Sequence, residues 1–164
     1  MAAETLTATR AKAGFPVAAN GPAGDVKVAI GNITIAANVE DGDIFEMCKV
    51  PAGAAVFGGW IDAADLDTGI EALDMDVGWA ANGNESADPD GLGNFGVWTG
   101  DTDTLKPEVA NHLIFGGTLL SAGPQLFTAE TTIQVEANAA ATTFASGPMT
   151  CVVLYTMDPN YSNG

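Results

Sequence analysis

Positive charge is the scarcest thing in this sequence. Five Lys and Arg stand against 21 Asp and Glu, giving a formal net charge of -16. So acidic a chain repels a phosphate backbone and an anionic membrane surface, which argues against nucleic acid and membrane as partners. A basic protein surface or bulk solvent stays open. Long apolar runs are missing too. None approaches the roughly 18 residues a membrane span needs. The opening MAAETLTATRAKAGFPVAAN has no continuous apolar core behind Arg10 and Lys12, so it does not read as a secretory signal. Two cysteines are too few for a disulfide scaffold. Cys48 in IFEMCKV and Cys151 in MTCVVLY read as reduced, buried small hydrophobes. An inter-strand disulfide would require their two strands to be neighbours.

Helical periodicity is equally scarce. Wherever apolar residues fall at spacings of three and four, a Gly, a Pro or a β-like run interrupts them. The 20 Gly and 8 Pro punctuate the whole chain. That rhythm suits short strands joined by turns, and 164 residues suit one domain. The expectation is an all-β fold, a jelly-roll-like β-sandwich of about eight strands with long loops. The sandwich should occupy residues 25–158, behind an irregular N-terminal arm of residues 1–24 and ahead of a frayed tail of residues 159–164.

The clearest strand is 71–80, where Leu73, Met75, Val77 and Trp79 point to a dry face and Asp74, Asp76 and Gly78 to a wet one. Val26, Val28 and Ile30 also alternate, but the phase slips at Gly31-Asn32 to Ile33 and Ile35. A bulge or a tight Gly-Asn turn would make that slip. Further strands are expected at 44–50, 54–63 and 126–137, where Ile133 and Val135 face the core. Segments 95–99 and 112–120 are weaker candidates. Residues 149–157 are apolar on both faces and should lie centrally between covering layers. Residues 81–93 read as an acidic, irregular loop.

No catalytic grouping stands out. Gly91-Leu-Gly93-Asn-Phe-Gly96 spells the dinucleotide fingerprint, but an acidic loop precedes it and no helix pattern follows it, so it reads as a turning loop. Ser86, Asp88, Asp90 and Gly91 look like half a calcium loop. Ser86 stands where the first acid belongs and Val97 where the closing Glu belongs, so they read first as a solvated acidic loop and only weakly as a metal site. The single histidine, His112, has no nucleophile elbow to serve and no paired ligands for zinc. Asp74 and Asp76 share one face and repel each other, which fits a wet surface better than acid/base work. Among the tryptophans, Trp79 reads as core, while Trp60 and Trp98 are candidates for an interface. No cofactor is indicated.

The segments RAKAGFPVAAN, GDIFEMCKVPAGAAVFGG, LDTGIEALDMDVGWAANG, ADPDGLGNFGVWTGD and ETTIQVEANAAATTFASGPMTCVVLYTMDP, in this order, resemble a group of small proteins encoded beside major capsid genes in tailed bacteriophages and related prophages. The similarity spreads over nearly the whole chain and includes no catalytic motif. It implies a head decoration (cement) protein on the outside of a virion, not an enzyme, whose partner is the major capsid protein. Self-association as a homotrimer fits such a role, since one patch then serves every copy around a local threefold axis. Arg10 and Lys12, on an otherwise acidic chain, are the candidate capsid contacts. A receptor- or carbohydrate-binding head appendage using Trp98 and the acidic loop is the alternative.

Overall fold

The computed structural model describes residues 25–70, 72–98 and 110–157. The expected arm and tail, with Arg10 and Lys12, lie outside the described residues. Among the described residues nine strands run in the order β1 (Lys27–Ile35), β2 (Ile44–Val50), β3 (Ala54–Ala64), β4 (Asp74–Trp79), β5 (Asp88–Gly93), β6 (Ala110–Ile114), β7 (Gln125–Leu126), β8 (Thr131–Ala139) and β9 (Gly147–Met157). A five-residue helix, α1 (Thr118–Ala122), interrupts them between β6 and β7.

The strands form two antiparallel sheets. The first has the order β1-β9-β3-β6, with the short β7 also against β3, and the second has the order β2-β8-β4-β5. Setting β7 aside, the pairs β1 with β9, β2 with β8, β3 with β6 and β4 with β5 are nested from the outside in. They are the rungs of one long hairpin ribbon, rolled so that alternate rungs fall in opposite sheets. That is the jelly roll, and the expected fold class holds.

The inner faces follow the period-two pattern. Met75, Val77, Ile133 and Val135 from the second sheet, and Ile61, Met149, Cys151 and Val153 from the first, are all fully buried. Leu73 and Trp79 join them, and Trp79 meets the Phe127 ring edge-on with centroids 5.3 Å apart. Cys48 and Cys151 are free thiols that face one another across the two sheets, close enough to hydrogen-bond. Contact with Cys48, and then burial, push the Cys151 thiol up.

Five local expectations need correction. First, β1 has neither bulge nor turn at Gly31-Asn32: it pairs with β9 without a register shift from Lys27 to Ile35. Its apolar residues change faces instead, with Val28 and Ile30 exposed and Ile33 and Ile35 turned toward the core. Gly31 lies on the inner side, where a Cβ would stand 2.0 Å from the Met47 carbonyl oxygen. Only glycine lets β2 cross so close. Second, the acidic segment 81–93 is not wholly irregular, since it contains β5. Third, 95–98 is not a strand and makes only an isolated bridge from Val97 to Asp74. Fourth, the strand expected at 112–120 stops at Ile114 and gives way to α1. Fifth, the strand expected at 126–137 is two strands, β7 and β8, with Phe127 buried between them.

The loops are pinned by buried carboxylates. Asp67, 1% exposed, accepts backbone N–H bonds from Ala72 at 2.9 Å, Leu73 at 3.3 Å, Thr142 at 3.0 Å and Thr143 at 2.7 Å, plus the Thr142 hydroxyl at 3.1 Å. One side chain thus ties the loop before β4 to the loop after β8. Burial opposes its charge, but the four backbone donors outweigh burial and hold the carboxyl well below the usual range. Glu85 plays a smaller version of this part. It accepts from the N–H and hydroxyl of Thr128 and from Asn82, and these bonds lower its pKa against burial.

Asp67→Asn turns an amide NH2 toward those donors and leaves buried N–H groups unmet. The expected cost is about 3 kcal/mol, or roughly 6–12 °C in Tm. The wild-type contribution comes from a depressed folded pKa, so it is full above the unfolded carboxylate value of about 4 and drains as pH falls toward the folded value. Thermal melts from about pH 6 to about pH 2 should therefore show the gap between wild type and variant narrowing. A gap that is constant over that range contradicts this role for the charge.

Candidate docking face

Residues directly opposite one another in an antiparallel pair project from the same face. The registers of β1, β9, β3 and β6 therefore assign the outer face of the first sheet row by row. Ile30, Val152, Trp60 and Ile114 form one row across all four strands. Val28, Leu154 and Gly58 form the row below it, where a β3 bulge between Val56 and Gly58 adds Phe57. Asn32, Thr150, Asp62 and His112 form the row above. Exposures of 59% at Ile30, 57% at Ile114, 51% at Val28 and 40% at Phe57 put large apolar side chains in solvent on this face. Val152, set between Ile30 and Trp60, is buried.

The polar groups on this face are already engaged. The Asp62 carboxylate receives the Trp60 indole N–H at 3.0 Å on one oxygen and stands 2.7 Å from His112 Nδ1 on the other. The Trp60 and His112 rings lie 6.3 Å apart and tilted. Asp62 thus fixes the Trp60 ring from one side and carries the one carboxylate that the register assigns to these three rows.

The outer face of the second sheet is different in kind. Its rows read Ile44, Glu136, Asp76 and then Glu46, Gln134, Gly78. Asp76 is not on a wet surface as expected: it is 4% exposed, under an N–H bond from Phe95 at 3.2 Å and an Asn138 amide bond at 2.6 Å. Burial raises its pKa, and the charges of Asp74 and Asp90 push the same way, against the bonds from Phe95 and Asn138. Lys49 at the edge of this sheet pairs with Glu130 at 2.8 Å, with both side chains well exposed, so solvent screens the pair.

The residues singled out in the sequence are scattered. Trp60 stands on the outer face of the first sheet, half-buried. Trp98 is not an interface residue: it is 3% exposed, and its indole N–H donates to the Met75 carbonyl at 2.6 Å. Ser86 is exposed and gives its carbonyl to the Trp79 indole at 3.1 Å. Asp88 and Asp90 stand beside each other on β5, and burial followed by its neighbour raises Asp88. Among the described residues no three His, Cys, Asp or Glu side chains converge as a metal site would need. Gly91 and Gly93 belong to β5, and Asn94, Phe95 and Gly96 continue as loop, so no helix follows the fingerprint glycines in sequence; the start of the five-residue α1 packs on β5 from elsewhere in the chain, with the Thr118 hydroxyl donating to the Gly91 carbonyl at 2.7 Å. Sequence reasoning passed over Val28, Ile30, Leu154 and Ile114. Their signal was present in the two-faced apolarity of β9 and in the phase change of β1.

No protein-family model matches the chain, and no curated protein sequence matches it. Solved structures do. The chain is similar to one in the capsid asymmetric unit of cyanophage Pam1, with TM-score 0.63 and 19% identity over 96% of this chain and 99% of that one. It is similar to a chain in the capsid of Ralstonia phage GP4, with TM-score 0.63 and 21% identity over 88% and 92% of the two chains. A third likeness, to a chain in the acid-stable capsid of Helicobacter pylori bacteriophage KHP30, has TM-score 0.52 and 11% identity over 81% and 88%. At these identities the likeness establishes a shared fold.

The three tryptophans differ in one measurable way. Trp79 and Trp98 are buried and Trp60 is not. Acrylamide should quench one component of the native fluorescence, and Trp60→Phe should remove that component. If Trp98→Phe removes it instead, the faces have been assigned wrongly.

Proposed function

We propose that this chain is a structural virion protein, not an enzyme, that decorates and stabilises the outer surface of a phage capsid. The observation that carries the proposal is the likeness to the cyanophage Pam1 capsid chain, which spans 96% of this chain and 99% of that one. What is alike is a whole small jelly roll, and not one module within a much larger shell subunit. The resemblance of the sequence segments to phage decoration proteins points the same way. So does the division of the surface, since an acidic outer sheet suits a face turned to solvent around a particle. The partners in this proposal are the major capsid protein and two further copies of this chain, as a homotrimer on a local threefold axis. Arg10 and Lys12 are the candidate capsid contacts in this proposal, meeting carboxylates of the shell. The appendage alternative drew on Trp98 as an exposed aromatic, and with Trp98 in the core that support is gone.

Undecorated capsids, assembled from the capsid protein of the same genome, test this directly. Purified chain should co-sediment with them to saturation, in multiples of three copies per site, and should raise the temperature at which the shells fall apart. Co-sedimentation no greater than that of an unrelated acidic protein overturns the proposal.

A further inference from the structure

Resting on that reading, we infer that the chain seats on the shell through the outer face of its first sheet, around Trp60, and turns its second sheet to solvent. The complementary patch on the capsid protein is apolar and free of carboxylates.

Three observations converge on this face. First, β9 is apolar on both sides: Cys151 and Val153 fill the core, while Val152 and Leu154 project outward. A central strand with two apolar faces is expected where both are covered, yet Val28 and Ile30 on the neighbouring β1, and Ile114 on β6 beyond β3, are more than half exposed. Second, Trp60 is already fixed by its bond to Asp62. A rigid aromatic loses little freedom on binding, and tryptophan is among the side chains most often found as energetic anchors of interfaces. Third, charge selects the occupant. The chain carries a net charge of -16. Glu46, Glu136 and Asp74 stand on the second sheet at least partly exposed, around the buried Asp76, whereas Asp62 on the first is paired within its own face. Face-to-face pairing of two copies would bring two bodies of the same strong charge together. A shell patch without carboxylates carries no such penalty, and docking there leaves the acidic sheet in water.

The test uses the full chain and undecorated capsids. Ile30→Asp on β1 and Ile114→Asp on β6 place a charge at two separate, exposed points of the face. Ile44→Asp, 53% exposed on the outer face of the second sheet, is the control. The two face variants should melt close to wild type and lose capsid affinity by about tenfold or more, while the control binds as wild type does. Hydroxyl-radical footprinting of wild type needs no variant: capsid binding should protect Trp60 and Ile114 and leave Ile44 open. If wild type binds while the variants bind equally well and Trp60 stays reactive, the seat lies elsewhere and the decoration reading survives. If Ile30→Asp dissociates a capsid-free oligomer without weakening capsid binding, the face joins copies of this chain, and the inference is overturned. If wild type does not bind at all, decoration fails and the seat fails with it.

Discussion

The register that threads β9 between β1 and β3 is the constraint on which the rest of the surface depends. With β9 central, Ile30, Val152, Trp60 and Ile114 are forced into one row, although they come from four distant parts of the chain. A slip of one residue would turn Val152 and Leu154 inward and bring Cys151 and Val153 out, so burial of the core and composition of the outer face are set together. The nested pairing fixes that register globally. Each rung of the ribbon aligns the next, and the close crossing at Gly31 locks the β1 and β2 edges against each other.

Charge is then distributed around this frame by two mechanisms. Carboxylates at loop positions are drawn in and satisfied, by backbone N–H groups at Asp67 and by the Thr128 hydroxyl and N–H and the Asn82 amide at Glu85, which offset the cost of burial. Carboxylates on the second sheet remain crowded, as at Asp76, where burial and neighbouring acids raise the pKa. The first kind loses its contribution in acid. The second kind is relieved by protonation, since a carboxyl with a raised folded pKa favours the folded state as pH falls. The two trends oppose each other, which moderates the response of the whole fold to acid.

Much of the architecture was legible in period-two patterns. The Leu73–Trp79 alternation, the Ile133 and Val135 pair and the central position of β9 all follow from apolar residues that must share a face. What the chain hid was of three kinds. β5 contains Pro89, Gly91 and Gly93, poor strand formers held in place by tertiary pairing with β4. Trp98 follows an acidic loop, yet an isolated bridge at Val97 and a bond to Met75 carry it into the core. The phase change in β1 reads as an irregularity only if both apolar sets are assumed to face the same way. The outer face was the part least visible, because its residues become neighbours only through the sheet order, and no local pattern encodes that order.

The central claim is an orientation: a jelly roll lying on a phage shell with its apolar sheet down and its acidic sheet up. A cryo-electron microscopy reconstruction of capsids carrying this chain measures that directly. The account predicts density outside the shell, with β1, β9, β3 and β6 against the capsid protein, Trp60 within the contact, and β2, β8 and β4 facing solvent. Density inside the shell, or a jelly roll resting on its second sheet with Trp60 in water, would contradict it.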